Sequence, residues 1–129
     1  MNVEKFSVSI PKDLYDRLEK FMSENQISDR SKIIQIALRD FLDENEKDNR
    51  MVLGIINVVY DEEQSEEVLR FQHEYEDYIL SVLHVHRGKI CVEAIAVRGI
   101  KSDLLNLTSK LSSLKGVKKA KLIISTSEE

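Results

Sequence analysis

The residues best suited to chemistry are three histidines and the chain's single cysteine, which all fall between positions 73 and 91. His84 and His86 stand two positions apart in an apolar segment, so on a strand both imidazoles project from one face. Gly88-Lys89 is the only tight hairpin signal in the sequence. A two-residue turn there would place Cys91 directly opposite His86, which gathers two imidazoles and a thiol on one patch.

These side chains are the donors that borderline transition metals prefer. His73, late in the preceding predicted helix, supplies a third imidazole. The resulting set of three nitrogens and one sulfur suits Ni(II), Cu(II), Zn(II) or Co(II), and ligand identity alone does not choose among them. A lone Cys on a strand is more often a small buried hydrophobe, and a helical His beside acidic neighbours is usually solvated. Their coincidence in one short stretch favours a metal site over separate structural explanations.

The elements that position these residues follow the order β-α-β-β-α-β. The predicted ranges are strand Met51–Tyr60, helix Ser65–Tyr78, strands Ile79–His86 and Lys89–Val97, helix Ser102–Leu114 and strand Val117–Thr126. This order is typical of a ferredoxin-like module, so the fold class is α+β. The polar stretch 44–50 before it is predicted to be a linker or a frayed helix end.

The N-terminal third has a different organisation. Residues 5–10 alternate as a strand does, and Pro11 ends the strand before a helix that runs from about Lys12 to Asn25. Ser28 is the predicted N-cap of a second helix that ends near Asn45. One strand and two short helices bury too little to be stable alone. We therefore expect a dimer, in which two strands pair as an antiparallel ribbon and four helices share one core.

This ribbon would present Lys5, Ser7 and Ser9 on its exposed face. A two-stranded ribbon fits the major groove of DNA, where such side chains can reach base edges. The start of the second helix, with Ser28 and Arg30, would offer backbone amides and positive charge to phosphate.

Composition limits the remaining possibilities. The single Cys excludes an intrachain disulfide, and no apolar run approaches the length of a membrane span, so we expect a cytoplasmic protein. The net charge of the chain is −4, and most of its acidic residues lie within residues 40–86. The N-terminal third is therefore free to meet an anion. No phosphate-binding glycine loop or nucleophilic triad is recognisable. Four protein ligands would also leave no open position on a metal, so we expect no enzyme activity.

The sequence resembles the nickel-responsive transcriptional regulators of the NikR family over nearly its whole length. The most specific segments are Gln72-His73, His84-Val85-His86 and Cys91-Val92-Glu93. The resemblance implies a ribbon-helix-helix domain at residues 1–46 and an ACT-like domain at residues 51–127. It also implies one square-planar Ni(II) per subunit, with base contacts made by Lys5, Ser7 and Ser9. The implied ligands are His84, His86 and Cys91 of one chain with His73 of another.

Three positions depart from the family pattern. Four residues separate His86 from Cys91, one fewer than is usual in the family. Lys32 and Ile36 stand where some members have acidic residues that hold a further cation. The loop Asp61-Glu62-Glu63 is acidic where some members present cations to DNA, so we expect it to avoid phosphate.

We therefore expect a nickel-responsive transcriptional repressor whose affinity for double-stranded operator DNA rises when Ni(II) binds. Its assembly would be a homotetramer, a dimer of dimers, without membrane association. The alternative is a ribbon-helix-helix regulator or antitoxin whose ACT-like domain binds a small molecule or a partner protein without metal. The alternative predicts DNA binding that is indifferent to chelators.

Overall fold

The computed structural model describes residues 2–128 and divides into two compact units, the first ending at Asp40 and the second beginning at Phe41. Helix α1 (Lys12–Glu24) lies in the first unit, and α2 (Arg30–Asn45) runs from the first unit into the second. Among residues 2–128, no helix has both the length and the apolar character needed to cross a bilayer.

The second unit is built on one four-stranded antiparallel sheet. Its strands are β1 (Met51–Asp61), β2 (Ile79–Arg87), β3 (Ile90–Ile100) and β4 (Val117–Glu128), and its further helices are α3 (Ser65–Glu74) and α4 (Lys101–Ser112). Short 3-10 turns at Glu62–Gln64 and Glu76–Tyr78 flank α3. The strand order is β2-β3-β1-β4. The predicted β-α-β-β-α-β order and the α+β class of this unit are therefore confirmed.

The core of this unit forms where alternate side chains of the sheet meet the two helices. The buried residues include Val52, Ile56 and Val58 of β1, Ile95 and Val97 of β3, Val68 and Phe71 of α3, Leu104, Leu107 and Leu111 of α4, and Leu122 of β4. Period-two burial on β1 and β3 gives one helix-facing side, as alternation requires. Leu69 of α3 lies outside this core, with 54% of its surface exposed.

The predicted strand at residues 5–10 is not formed in the single chain. Residues 2–11 are neither helix nor strand. A strand needs a hydrogen-bonded neighbour, and the prediction takes that neighbour from a second copy. Apolar side chains of the first unit stay exposed, among them Phe6 at 74% and Phe21 at 50%. The ribbon-helix-helix arrangement of two chains therefore remains a proposal.

The N-cap of helix α2 lies one residue later than predicted. Asp29, and not Ser28, accepts the backbone N–H of Lys32 through its carboxylate, at 3.0 Å. A carboxylate at this position satisfies a free amide and also complements the positive end of the helix dipole. The prediction of Ser28 as the N-cap is wrong for this reason.

The polar stretch before β1 is tied to the start of α4. The carbonyl oxygen of Asp48 accepts hydrogen bonds from the backbone N–H (3.0 Å) and the hydroxyl (2.7 Å) of Ser102, and the Arg50 carbonyl accepts the N–H of Lys101. Hydrogen bonds from Arg50 lower the pKa of the Asp48 carboxyl to about 2. The buried Lys101 ammonium lies 3.6 Å from the same carboxylate. These contacts satisfy amides that a helix start leaves free, so the stretch is anchored from Asp48 onward.

Candidate metal centre

Strands β2 and β3 form the hairpin that carries most of the candidate ligands. Its turn is the predicted pair Gly88-Lys89, and Gly88 has a φ of +61°, a left-handed conformation that glycine adopts without strain. The register pairs His86 with Cys91 and His84 with Glu93. Because side chains alternate across a strand, all four project from the helix-facing side of the sheet.

Glu93 is the buried polar centre of this patch, with only 5% of its surface exposed. The Tyr60 hydroxyl donates to its Oε2 at 2.6 Å, and the side-chain amide of Gln72 donates to its Oε1. His84 Nδ1 lies 2.8 Å from Oε2. A buried carboxylate needs such partners to offset its lost hydration. Burial and the hydrogen bond to Glu93 raise the pKa of Tyr60, which therefore remains a donor.

The contact with Glu93 also determines which nitrogen of His84 can bind a metal. A carboxylate accepts hydrogen bonds, so Nδ1 of a neutral His84 carries the proton and Nε2 keeps its free electron pair. A histidine that binds a metal through one nitrogen commonly donates the other N–H to a carboxylate. The His84–Glu93 pair therefore has the chemistry of a prepared metal ligand.

His86 and Cys91 complete the hairpin part of the patch. The imidazole rings of His84 and His86 have centroids 6.4 Å apart, and both side chains are 45% exposed. Cys91 is 2% exposed and lies beside Tyr60, its partner in the pairing of β1 with β3. Two accessible imidazoles thus stand at the edge of the sheet, with the thiol directly behind them.

His73 lies apart from this patch, on the exposed surface of the last turn of α3. Within residues 2–128 of one chain, no three His, Cys, Asp or Glu side chains are grouped closely enough to hold a metal ion. The donor chemistry fits a borderline divalent metal, because His84, His86 and Cys91 share one face and His84 is already oriented by Glu93. A fourth donor on a second chain is consistent with the position of His73.

The candidate DNA-contacting residues lie in the first unit. Lys5, Ser7 and Ser9 are exposed in the segment before α1, which is neither helix nor strand, and Ser28 is exposed before α2. Arg30 is already engaged within the chain. Its guanidinium pairs with Glu19 and lies over the ring of Tyr15, 5.5 Å from the centroid. In the single chain the Arg30 side chain therefore contacts α1. The sequence predicts instead a contact between Arg30 and DNA phosphate.

Sequence reasoning assigned no role to Glu93, Tyr60 or Gln72. The available signal was Glu93, a carboxylate at an inward position of a strand whose other inward positions are small or apolar. An inward carboxylate requires hydrogen-bond donors. Its donors come from β1 and α3, so only the tertiary structure identifies them.

Comparisons with known proteins agree with this fold and with the binding of nickel by the second unit. Residues 53–125 match the family model described as the NikR C-terminal nickel-binding domain. A protein of Saccharolobus solfataricus named "Putative nickel-responsive regulator" is 54% identical over 97% of this chain and 96% of its own length. A protein of the same name from Thermococcus onnurineus is 36% identical over 98% and 96%. An uncharacterized protein of Thermotoga maritima shares the fold, with a TM-score of 0.55, 15% identity and coverage of 59% of this chain and 99% of its own.

A ferredoxin-like domain with two imidazoles and a thiol on one hairpin belongs to the class of metal-binding regulatory domains that the family model describes. The chain is a member of the NikR family, with a C-terminal nickel-binding domain over most of its second unit. The resemblance inferred from the His and Cys motifs is confirmed.

The buried carboxylate yields a first prediction. Tyr60→Phe should lower the free energy of unfolding by about 1–3 kcal/mol, because Glu93 loses a donor in a desolvated site. Tyr75→Phe is the matched control, since it removes only an exposed hydrogen bond from Lys110. Urea denaturation of both variants measures the difference. Equal stability of the two variants would contradict the importance of the Tyr60–Glu93 bond.

Proposed function

We propose that this chain is a nickel-responsive DNA-binding transcriptional repressor whose operator affinity rises when Ni(II) binds. The observation that supports this most strongly is the shared face of His84, His86 and Cys91 within the stretch that matches the nickel-binding family. The protein would act by binding and not by catalysis, as a cytoplasmic homotetramer.

One Ni(II) per subunit would be held by His84, His86 and Cys91 of one chain together with His73 of another. Bound nickel would supply a bond between the two chains, which stabilises only the arrangement that brings α3 of one chain to the hairpin of the other. The exposed position of His73 supports this division of ligands, since it leaves the imidazole accessible to another chain.

The hydrogen bonds of Glu93 offer a physical path between the ligand-bearing elements. Glu93 holds His84 on β2 and accepts the amide of Gln72 on α3. Gln72 immediately precedes His73 in the sequence. If bound metal fixes the orientation of His84, the effect would pass through Glu93 and Gln72 to α3. This helix carries His73, the proposed ligand of the metal on the neighbouring chain. Ordering of this helix would bias the assembly toward one spacing of its DNA-binding ends.

The first unit would form a ribbon-helix-helix dimer. Its exposed apolar side chains, Phe6 and Val8 before α1 and Leu14 and Phe21 on α1, support a core completed by a second copy. Pairing of residues 5–10 would leave Lys5, Ser7 and Ser9 to contact bases. Ser28 and Arg30 would contact phosphate. To do so, the Arg30 guanidinium must break its ion pair with Glu19 and pair with a phosphate of the DNA backbone.

The second prediction concerns the metal. Cys91→Ala should remove the thiolate charge-transfer absorption of the nickel-loaded protein and weaken binding, because Cys91 is the only soft anionic donor of the set. His73→Ala is the matched comparison, because it should retain the thiolate absorption while losing metal-dependent operator binding. Nickel titration followed by absorption spectroscopy and operator binding measures both. A wild-type protein without thiolate absorption would contradict the ligand set, and DNA binding indifferent to chelators would favour a metal-independent regulator.

The third prediction concerns the DNA-binding end. Lys5→Ala, Ser7→Ala and Ser9→Ala should each weaken specific operator binding by about 1–3 kcal/mol, the usual value of a base contact. Nickel affinity should not change, since these residues lie in the other unit. Lys12→Ala is the control, because it removes a nearby cation that pairs with Asp16 on α1. A variant that carries all three substitutions tests the assignment as a whole. If it discriminates operator from random DNA as well as the wild type does, residues 5–10 do not contact DNA bases.

A further inference from the structure

The acidic turn after β1 is fixed against the tip of the metal hairpin. The backbone N–H of Glu62 donates to the carbonyl of Lys89 in the hairpin turn, at 2.8 Å. The Ser65 hydroxyl donates to the carbonyl of Glu62, at 2.7 Å. The backbone of Glu62 is therefore held between the hairpin and the start of α3, so its carboxylate has a defined place near the candidate ligands.

That carboxylate faces His86. Its Oε2 lies 3.6 Å from His86 Nε2, which is within ion-pair distance but longer than a hydrogen bond, and both side chains are about half exposed. His84 is held differently, since Glu93 contacts its Nδ1 at 2.8 Å. The two imidazoles of the hairpin thus meet carboxylates through opposite ring nitrogens. A ring nitrogen that donates its proton to a carboxylate is not free for a metal, which leaves the other nitrogen to bind.

We propose that Glu62 is a positioning residue of the metal centre, an inference that rests on the proposed nickel function. On metal binding the Glu62 carboxylate closes this 3.6 Å separation to accept the Nε2–H of His86 and so presents Nδ1 of this ring to the metal, while Glu93 presents Nε2 of His84. Its negative charge, with that of the Cys91 thiolate, also favours a divalent cation. The acidic loop, which the sequence analysis only expected to avoid phosphate, thereby gains a function in the metal domain.

The loss of metal affinity expected on removal of the Glu62 carboxylate depends on how exposed the Glu62–His86 pair is to solvent. Loss of a carboxylate that orients a metal-bound histidine typically weakens binding about 10–100-fold. Solvent screens the half-exposed pair, which places Glu62 at the low end of that range. Glu63 is the matched control, because it is the adjacent carboxylate in the same short turn and is exposed.

The experiment uses the full chain with 15N-labelled imidazoles and Zn(II) as a diamagnetic probe. The chain has three histidines, so long-range proton–nitrogen correlation spectra resolve each ring nitrogen. On addition of Zn(II), Nε2 of His84 and Nδ1 of His86 should take the shifts of metal-bound nitrogen. Glu62→Ala should weaken Zn(II) binding by about tenfold and abolish the Nδ1 preference of His86. Glu62→Gln, which keeps an acceptor oxygen, should retain the preference, and Glu63→Ala should match wild type.

Two results would overturn the proposal and are distinguishable from failure of the metal site. If His86 binds Zn(II) through Nε2 in the wild type, or if Glu62→Ala and Glu63→Ala bind with equal affinity, Glu62 does not position His86 although the site itself stands. If Zn(II) shifts no nitrogen of His84 or His86, both the role of Glu62 and the proposed metal site are wrong.

Discussion

The register of β2 against β3 determines the chemistry available on this hairpin. A slip of one residue would turn His84 and His86 to the opposite face of the sheet, away from Cys91 and Glu93. The two-residue turn at Gly88-Lys89 prevents that slip, and the bond from the Glu62 amide to the Lys89 carbonyl supports the turn from outside. With four residues between them, His86 and Cys91 pair directly across the ladder.

The desolvation of Glu93 explains why several elements meet at this point. A carboxylate that is 5% exposed is stable only where donors replace its lost water. Tyr60 from β1, Gln72 from α3 and His84 from β2 supply them. One buried charge therefore connects the strand that carries two proposed ligands to the helix that carries a third. A change at any of these donors affects both the stability of the domain and the orientation of His84.

The part of the site that could be predicted from sequence is the part that local geometry fixes. Strand alternation and a two-residue turn are sufficient to place Cys91 opposite His86. The partners of Glu93 could not be found this way, because Tyr60 and Gln72 are distant in sequence and meet it only through the packing of α3 on the sheet. Competition between neighbours explains one further error, because Asp29 caps α2 in place of Ser28.

The N-terminal unit illustrates a different limit. Alternation in residues 5–10 predicts a strand, but a strand exists only when another chain segment accepts its hydrogen bonds. The exposed apolar residues Phe6, Val8 and Phe21 are consistent with a core that one chain cannot complete. The sequence pattern thus predicts a strand that forms only in a dimer. A single chain forms only the elements that its own contacts stabilise.

Mixing two inactive variants tests most directly whether one metal joins two chains. His73→Ala and His84→Ala would each lack one ligand at every site as homo-oligomers. When the two are unfolded together and refolded, His73 of one chain can meet His84, His86 and Cys91 of the other. The proposed arrangement predicts that the mixture regains nickel sites of wild-type affinity, which neither variant has alone. A mixture that binds no more nickel than the two variants measured separately would contradict a metal shared between chains.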